Sequence, residues 1–551
     1  MKTKKAFKMS LILILVTIVF LTGCSKKNNN VEPTASAVPS PTASASEPVA
    51  TSFQLGSEPL NFSFYGNYDW WVTDEWGNDP TTKWIQENFK ITVKPVQSGG
   101  TAQQKLNTMI VSNELPNVIM SEGADFEKLR AAGQLLPLDD YLDKYPNLMK
   151  YAGDKTLNLL RSEDGKLYGF PNWYTSSPNG NSGYLVNKKI YKELGAPKLE
   201  TFTDLESYLK LVKEKYPDVI PFEADISAQG IFLFAAGKEE GYSTRYIDEK
   251  AVPRGDQLTS LFLDPTFNAT IKEASKLFRQ KLITQDTFTQ KSDQVYEKIK
   301  NGRVAVFASG DAVNSNIKDG NNLLSEKDPD AGYMAIWPIH EDAVSKDKVF
   351  TNSYSTTGWN LVSITKGTEN PEAIFAYLDW MTGAEGQATT SFGPKGRYWD
   401  ELTAEGAPIL NEKWNTTPQT EKDKEIMGKF NWAGNTTLTD VTKASIQAKL
   451  PEDKRDWSTT QQIDVIFKTS QDMTVFNNFK LAADSEAGIA NAAVKAIFEE
   501  YVAKAVYAKN DAEVDAILKE ANDAAMAQGY EAMLKAKTEA WQANIKKASG
   551  Q

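Results

Sequence analysis

The sequence predicts an α/β protein of at least two domains, built on mainly parallel sheets flanked by helices, with a helical extension at its C-terminal end. Three observations carry this. Residues 60–120 alternate between strand and helix patterns, the sign of a parallel sheet with helices on its faces. The 551 residues exceed the ~100–200 that one domain usually takes. Residues 485–547 are dominated by Ala, Glu and Lys and read as helix. Cys24 is the only cysteine, so disulfides cannot hold the fold and hydrophobic burial must.

The chain opens on Lys2, Lys4, Lys5 and Lys8, an apolar run from Leu11 to Phe20, and Leu21-Thr22-Gly23-Cys24. A basic start, a short apolar stretch and small residues at the exit form a secretion signal. The run is shorter than the ~20 apolar residues a membrane span needs. Leu-Thr-Gly-Cys resembles the bacterial lipobox, which implies cleavage before Cys24 and lipidation of its thiol. Two acyl chains supply the second signal that stable membrane anchoring requires. Residues 1–23 are therefore expected to be a signal peptide and 24–58 a lipid-anchored, disordered linker. Pro33, Pro39, Pro41 and Pro48, among Ser, Ala and Thr, offer too little apolar surface to offset ordering. As a loose coil this linker spans ~30 Å. The expected location is the extracellular face of the cell membrane, with a periplasmic lipoprotein as the alternative.

The body begins with alternation. Leu60, Phe62 and Phe64 face one way and Asn61, Ser63 and Tyr65 the other, which predicts a strand. After the turn from Gly66 to Trp71, Pro80 starts a helix carrying Trp84, Ile85 and Phe89. Residues 91–96 form a second strand, and Leu106, Met109 and Ile110 mark the apolar face of the next helix. Residues 117–120 form a short third strand, and a helix from Ala124 to Ala132 stops at Gly133. Residues 164–171 read as a hairpin and an extended entry. In the tail, Ala492, Ala493, Ala496 and Ile497 suggest a packed face that Gly529 interrupts farther on.

The phrase Ala132-Gly133-Gln134-Leu135-Leu136-Pro137-Leu138-Asp139, followed by Asp164-Gly165-Lys166-Leu167-Tyr168-Gly169-Phe170-Pro171, resembles the family 1 extracellular solute-binding proteins. These are receptors of carbohydrate ABC importers. Tyr184 to Lys188 with Lys192 to Gly195, Asn301 to Phe307, and Pro371 to Gly386 are similar to three further landmarks of that family, in the same order. Gly393-Pro394-Lys395-Gly396 is similar to the Gly-x-x-Gly stretch of its larger lipoprotein members. The resemblance implies a two-lobed periplasmic-binding-protein fold, lobe 1 comprising 59–170 with 356–392 and lobe 2 comprising 171–355 with 393–551. It also implies an oligosaccharide ligand and ABC importer permease subunits as partners; the expectation is a monomer with no catalytic residue, cofactor or assigned metal ligand, a structural calcium being left open.

A two-lobed receptor holds its ligand where the lobes meet, beyond the carboxyl ends of the strands. Sugars present an apolar C–H face and many hydroxyls, so flat rings and planar polar side chains suit them. Five groups qualify. Tyr65, Asn67, Asp69, Trp70 and Trp71 follow the first strand; the bland alternative is that one tryptophan caps the core and the other lies on the surface. Asp125 follows the third strand, as ligand contact or helix cap. Asn172, Trp173 and Tyr174 stand at the first crossing between lobes. Tyr354, Trp359 and Asn360 stand at the second, with hinge packing as the alternative for Trp359. Arg397 and Trp399, with Tyr398, form the last group, where Arg397 alternatively pairs with a surface carboxylate. Trp432 is a weaker candidate. Trp337, Trp380 and Met381 read as core.

Composition narrows the chemistry. With residues 1–23 removed, 57 Lys and Arg face 72 Asp and Glu, a net charge of −15, and there is no basic stripe, so nucleic acid is a poor partner. His340 is the only histidine, which excludes a multi-histidine zinc site. No P-loop or dinucleotide glycine pattern occurs. The alternative function left open is a surface polysaccharide hydrolase or lyase using carboxylates. A passive adhesion protein fits the linker but not the lobe landmarks.

Overall fold

A computed structural model of the protein describes residues 52–550 except 226–229, 426–430, 478, 480 and 483. Cys24 and the signal lie outside the described residues. Among the described residues no helix is long and apolar enough to cross a membrane. The folded body starts earlier than the expected linker end at 58. Phe53 and Leu55 pack against the first core, and the Phe53 carbonyl accepts a hydrogen bond from the Tyr145 hydroxyl at 3.3 Å. Two apolar residues in the last turn of an otherwise polar stretch are enough to pin it down.

Two sheets organise the rest. In the first, the strand order is 91–96, 60–66, 118–121, 360–364, 170–172. Strand 60–66 runs parallel to both neighbours, Leu60 opposite Ile91 and Phe64 opposite Val118. Strand 360–364 is antiparallel to both of its neighbours, Leu361 opposite Ser121 and Pro171. In the second sheet the order is 333–336, 183–187, 304–309, 220–224, and only 220–224 and 304–309 are parallel. Both sheets are thus mixed, not mainly parallel as the sequence predicts. Strands 170–172 and 183–187 flank the first passage between sheets, and 333–336 and 360–364 flank the second. Each of these meets at least one neighbour head to tail because the chain reverses between halves.

Both faces of the first sheet are covered. Phe62, Phe64 and Val118 join one buried cluster with Leu148, Phe375 and Trp432. Tyr65 and Ile119 join another with Leu106, Phe126 and Leu129. The second sheet is also buried on both sides, by Phe202, Leu209 and Phe267 on one and by Val295, Ile299 and Ile317 on the other. Residues 393–425 and 431–435 pack with the first sheet, contrary to the expected boundary. Trp432 stacks on Phe64 at 3.7 Å between ring centres, and the Thr81 hydroxyl donates to the Glu425 carbonyl at 3.1 Å. A large ring in a glycine-punctuated segment carries no sign of which sheet it will cover.

The tail forms helices 486–506, 511–527 and 530–548, the last entered through Gly529 at φ +86°. Its buried stripe is Ala490, Val494, Phe498 and Val502, which belong to the second core. Ala492 and Ala496 are exposed, so the expected face is displaced around the helix. Alanine adds little area on either side, and the larger Val and Phe decide which face is buried.

Candidate functional site

The site grows from the carboxyl end of strand 60–66. A Cβ on Gly66 would lie 2.6 Å from the Trp71 indole, so glycine there lets the following loop fold back and bury Trp71. Its neighbour Trp70 is left 63 % exposed. Asp69 Oδ1 accepts the Ala102 amide at 2.7 Å and ties the loop to helix 102–112. Asp125 ties it from the other side, accepting Asn67 Nδ2 at 2.8 Å and Gln103 Nε2 at 2.9 Å. The loop is therefore held at both ends, and the rings it carries are fixed in place. The Tyr68 ring stacks on Trp70 with centres 5.0 Å apart and meets Trp359 at 5.3 Å.

Trp359 arrives from the opposite direction, on the passage into strand 360–364. Gly358 sits at φ +73°, where a Cβ would come 2.3 Å from the Asn172 carbonyl. Close approach of these two passages needs a residue without a side chain. Asn172 joins three chain segments: its carbonyl accepts the Trp359 amide at 3.4 Å, its Oδ1 accepts the Gly434 amide at 2.6 Å, and its backbone pairs with Asn360. Trp173, at φ +57°, donates its amide to the Gly434 carbonyl at 2.8 Å. That left-handed conformation is unfavourable for tryptophan and persists because this web of bonds holds it.

Two cavities share Trp359 as a wall. The smaller, about 330 Å³, is lined by Trp70, Trp71, Trp173 and Asn431. The larger, about 800 Å³, runs past Glu122, Asn360 and Arg161 to the last helix of the chain. Volumes of this order suit ligands of drug size or larger. At the base of the larger cavity lies Asn360, 2 % exposed, both of whose side-chain polar atoms lack hydrogen-bond partners; Ser121 Oγ, in a residue 1 % exposed, also lacks one but lines neither cavity. Asn67 Oδ1 and the Tyr68 hydroxyl are in the same state. Register separates Ser121 from Asn360: Ser121 stands opposite Leu361, so its side chain lies on the other face of the sheet from that of Asn360, the residue before Leu361. Burial of polar groups without partners costs ~1–3 kcal/mol each, and a ligand bringing its own donors and acceptors removes that cost.

Electrostatics at this base are acidic. Burial raises the Tyr68 hydroxyl well above its ordinary range, Glu122 and Asp125 add to the rise, and Asn360 beside it opposes it. Tyr68 and Asn360 thus feel each other without reaching good hydrogen-bond geometry. The Glu122 carboxyl is also pushed up, by the partial exclusion of water in the cleft, although its side chain remains exposed. Among the described residues no group of three or more His, Cys, Asp or Glu is placed to hold a metal ion.

The structure brings together Trp70, Trp71, Trp173 and Trp359, with Asn67, Asp69 and Asp125 bracing the loop behind them. Asp125 is neither a helix cap nor free, since its carboxylate is used by Asn67 and Gln103. Trp70 and Trp71 divide as the bland reading has it, one outside and one in. Tyr65 and Tyr174 belong to the scaffold: both are buried, Tyr65 donating to the Ala102 carbonyl at 2.8 Å and Tyr174 bonded to the Thr382 hydroxyl at 2.7 Å. Trp399 is buried with its indole N–H on the Gly393 carbonyl at 2.8 Å. Arg397 is clamped by both oxygens of Glu425, so the carboxylate-pairing alternative holds for it. Tyr354 is half-buried in the ladder with residues 470–472 and lines neither cavity. Trp337 is half-buried rather than core, its indole donating to the Lys346 carbonyl at 3.0 Å. Tyr68 and the C-terminal helix were missed. Tyr68 stood in plain view beside Trp70, but nothing local links the last helix to a loop hundreds of residues earlier.

Residues 76–388 match the family model described as bacterial extracellular solute-binding protein. No curated protein matches the chain. Among solved structures, an HMO-binding, ABC-transporter-associated solute-binding protein from Bifidobacterium longum infantis is similar at 17 % identity and a TM-score of 0.65, covering 88 % of this chain and 98 % of its own. An extracellular solute-binding protein from Bifidobacterium longum subsp. infantis aligns at 16 % identity and a TM-score of 0.66, with the same coverage. The Streptococcus pneumoniae ABC-transporter substrate-binding protein FusA, in complex with kestose, aligns at 16 % identity and a TM-score of 0.58, covering 88 % and 99 %. At these identities the likeness speaks for the two-lobed fold.

Proposed function

The chain belongs to the bacterial extracellular solute-binding protein family, and from that membership we propose that it captures an oligosaccharide between its two halves and delivers it, uncut, to the permease subunits of an ABC importer. The observation that carries the reading is the pairing of exposed indoles with partnerless polar groups. Trp70, Trp173 and Trp359 offer flat faces for sugar C–H surfaces, while Asn360, in the adjoining larger cavity, offers its unpartnered polar atoms to hydroxyls. Two of the three similar structures carry names that refer to sugars, HMO in one and kestose in the other. Asn67, Asp69 and Asp125 act as supports for the rings rather than as direct contacts. The receptor is monomeric, and Cys24 carries the lipid that holds it on the extracellular face of the membrane, with the linker up to residue 51 giving it reach.

Ligand drives closure of the two halves only through contacts made in the closed form and absent in the open one. Rings on both passages, Trp173 and Trp359, are the residues we assign to such contacts. Titration calorimetry against fructo-, galacto-, manno- and xylo-oligosaccharides tests the proposal, with chromatography of the recovered sugar. The expected result is saturable binding to at least one series and unchanged sugar afterwards. Binding to none of them, or shortened products, contradicts it.

A further inference from the structure

Resting on the sugar-binding reading above, we infer that the C-terminal helix, residues 530–548, is an end wall of the cleft and sets the greatest length of oligosaccharide that the cleft admits. The helix is fastened from its first turn through Gln542 to the second half of the molecule. Lys537 Nζ lies 2.7 Å from Glu249 Oε2, Thr538 Oγ1 accepts the Leu258 amide at 3.0 Å, and Gln542 Nε2 donates to the Asp256 carbonyl at 2.9 Å. The Tyr530 hydroxyl accepts the Leu261 amide at 3.0 Å and donates to the Lys250 carbonyl. Its far end crosses to the first half, where Lys547 Nζ donates to the Arg161 carbonyl at 3.0 Å.

Beside these attachments the helix lines the larger cavity with Ala540, Ala543, Asn544 and Lys547. Asn544 is held in place, its Nδ2 donating to the Val475 and Asn477 carbonyls at 3.1 Å each. A helix so fixed is a rigid surface rather than a yielding one. Alanine at 540 and 543, three apart, puts the smallest Cβ-bearing side chains on the cavity side of one helix face. The space kept open there is bounded by the Lys547–Arg161 contact. A chain of sugars that starts at the indoles of the smaller cavity and passes Trp359 must stop at this wall. The site therefore takes short chains with a free end, and excludes the interior of a long polysaccharide.

The test uses the whole protein and ladders of fructo-, galacto-, manno- and xylo-oligosaccharides, from disaccharide to octasaccharide, with dissociation constants measured for each member. Ala543 is exposed, so Ala543→Trp fills the cavity without disturbing the core. It is expected to weaken binding of the longest accepted members by about tenfold or more while leaving the shortest within about twofold. Lys547→Ala, which removes the bond to Arg161, is expected to shift the limit toward longer members. A loss uniform over all lengths in Ala543→Trp, or no change of length preference in both variants, overturns the inference while the proposed function stands. No binding by the unaltered protein to any ladder overturns the function and the inference together.

Discussion

Asn360 is buried, lines the larger cavity, and has two polar atoms without partners. A residue kept for folding would have its bonds made inside the protein, so Asn360→Leu separates the two roles. Replacing an unpartnered amide by an apolar side chain of similar size should change unfolding free energy by less than about 1 kcal/mol. The same change should lower sugar affinity by about tenfold or more, read by denaturant unfolding and calorimetry side by side. A large stability loss would move Asn360 into the scaffold. Gly358 shows the reverse behaviour. Gly358→Ala must place a Cβ 2.3 Å from the Asn172 carbonyl at a positive φ, and should cost about 2–4 kcal/mol in urea unfolding. At this scale the sequence was only partly readable. The indoles in the loop after the first strand were visible as a cluster, but adjacency does not reveal that Trp71 turns inward over Gly66. Tyr65 was misread because alternation separates a buried face from a wet one, and this sheet has no wet face. Arg397 was misread because its partner, Glu425, lies far along the chain.

Elements are held by groups whose protonation decides their strength. Glu206, on helix 202–215, has its carboxyl lowered to about 2, chiefly by Lys210, with Lys276 and Gln280 of the neighbouring helical segment contributing. A carboxylate depressed in the folded state stabilises fully above its unfolded pKa, near 4.5, and loses that contribution as pH falls through about 2. Glu206→Gln should therefore lower stability by about 1 kcal/mol at neutral pH, a figure kept small because the pair is partly solvated. The difference from the unaltered protein should vanish by about pH 2 in denaturant unfolding followed by fluorescence. A difference that persists in acid would assign the loss to packing instead. The elements themselves were the most legible level. Strand 60–66 follows from a period-two pattern, strands 91–96 and 118–121 from short apolar stretches, and the helix after Pro80 from its proline and apolar spacing. Strand direction in the sheets was not legible, because pairing depends on where the chain crosses between halves. The buried face of helix 486–506 was misplaced because alanine marks both of its sides equally.

The whole molecule places its aromatic surface where two passages between halves approach each other, a position that only the assembled fold defines. Landmarks spread over the chain made the family readable, and the match over residues 76–388 bears that out. The boundary after 392 was not readable, since the segment that follows it attaches to the first half through single large contacts such as Trp432 on Phe64. The central claim is that a sugar chain lies against Trp359 and Trp70, with hydroxyls on Asn360, and leaves unaltered. The most direct test is a crystal structure of the protein with the tightest-binding oligosaccharide from the calorimetric panel. The account predicts intact sugar rings stacked on those two indoles and extending from the smaller cavity into the larger. Sugar bound elsewhere on the molecule with both cavities vacant, or a cleaved sugar in the cleft, would contradict it.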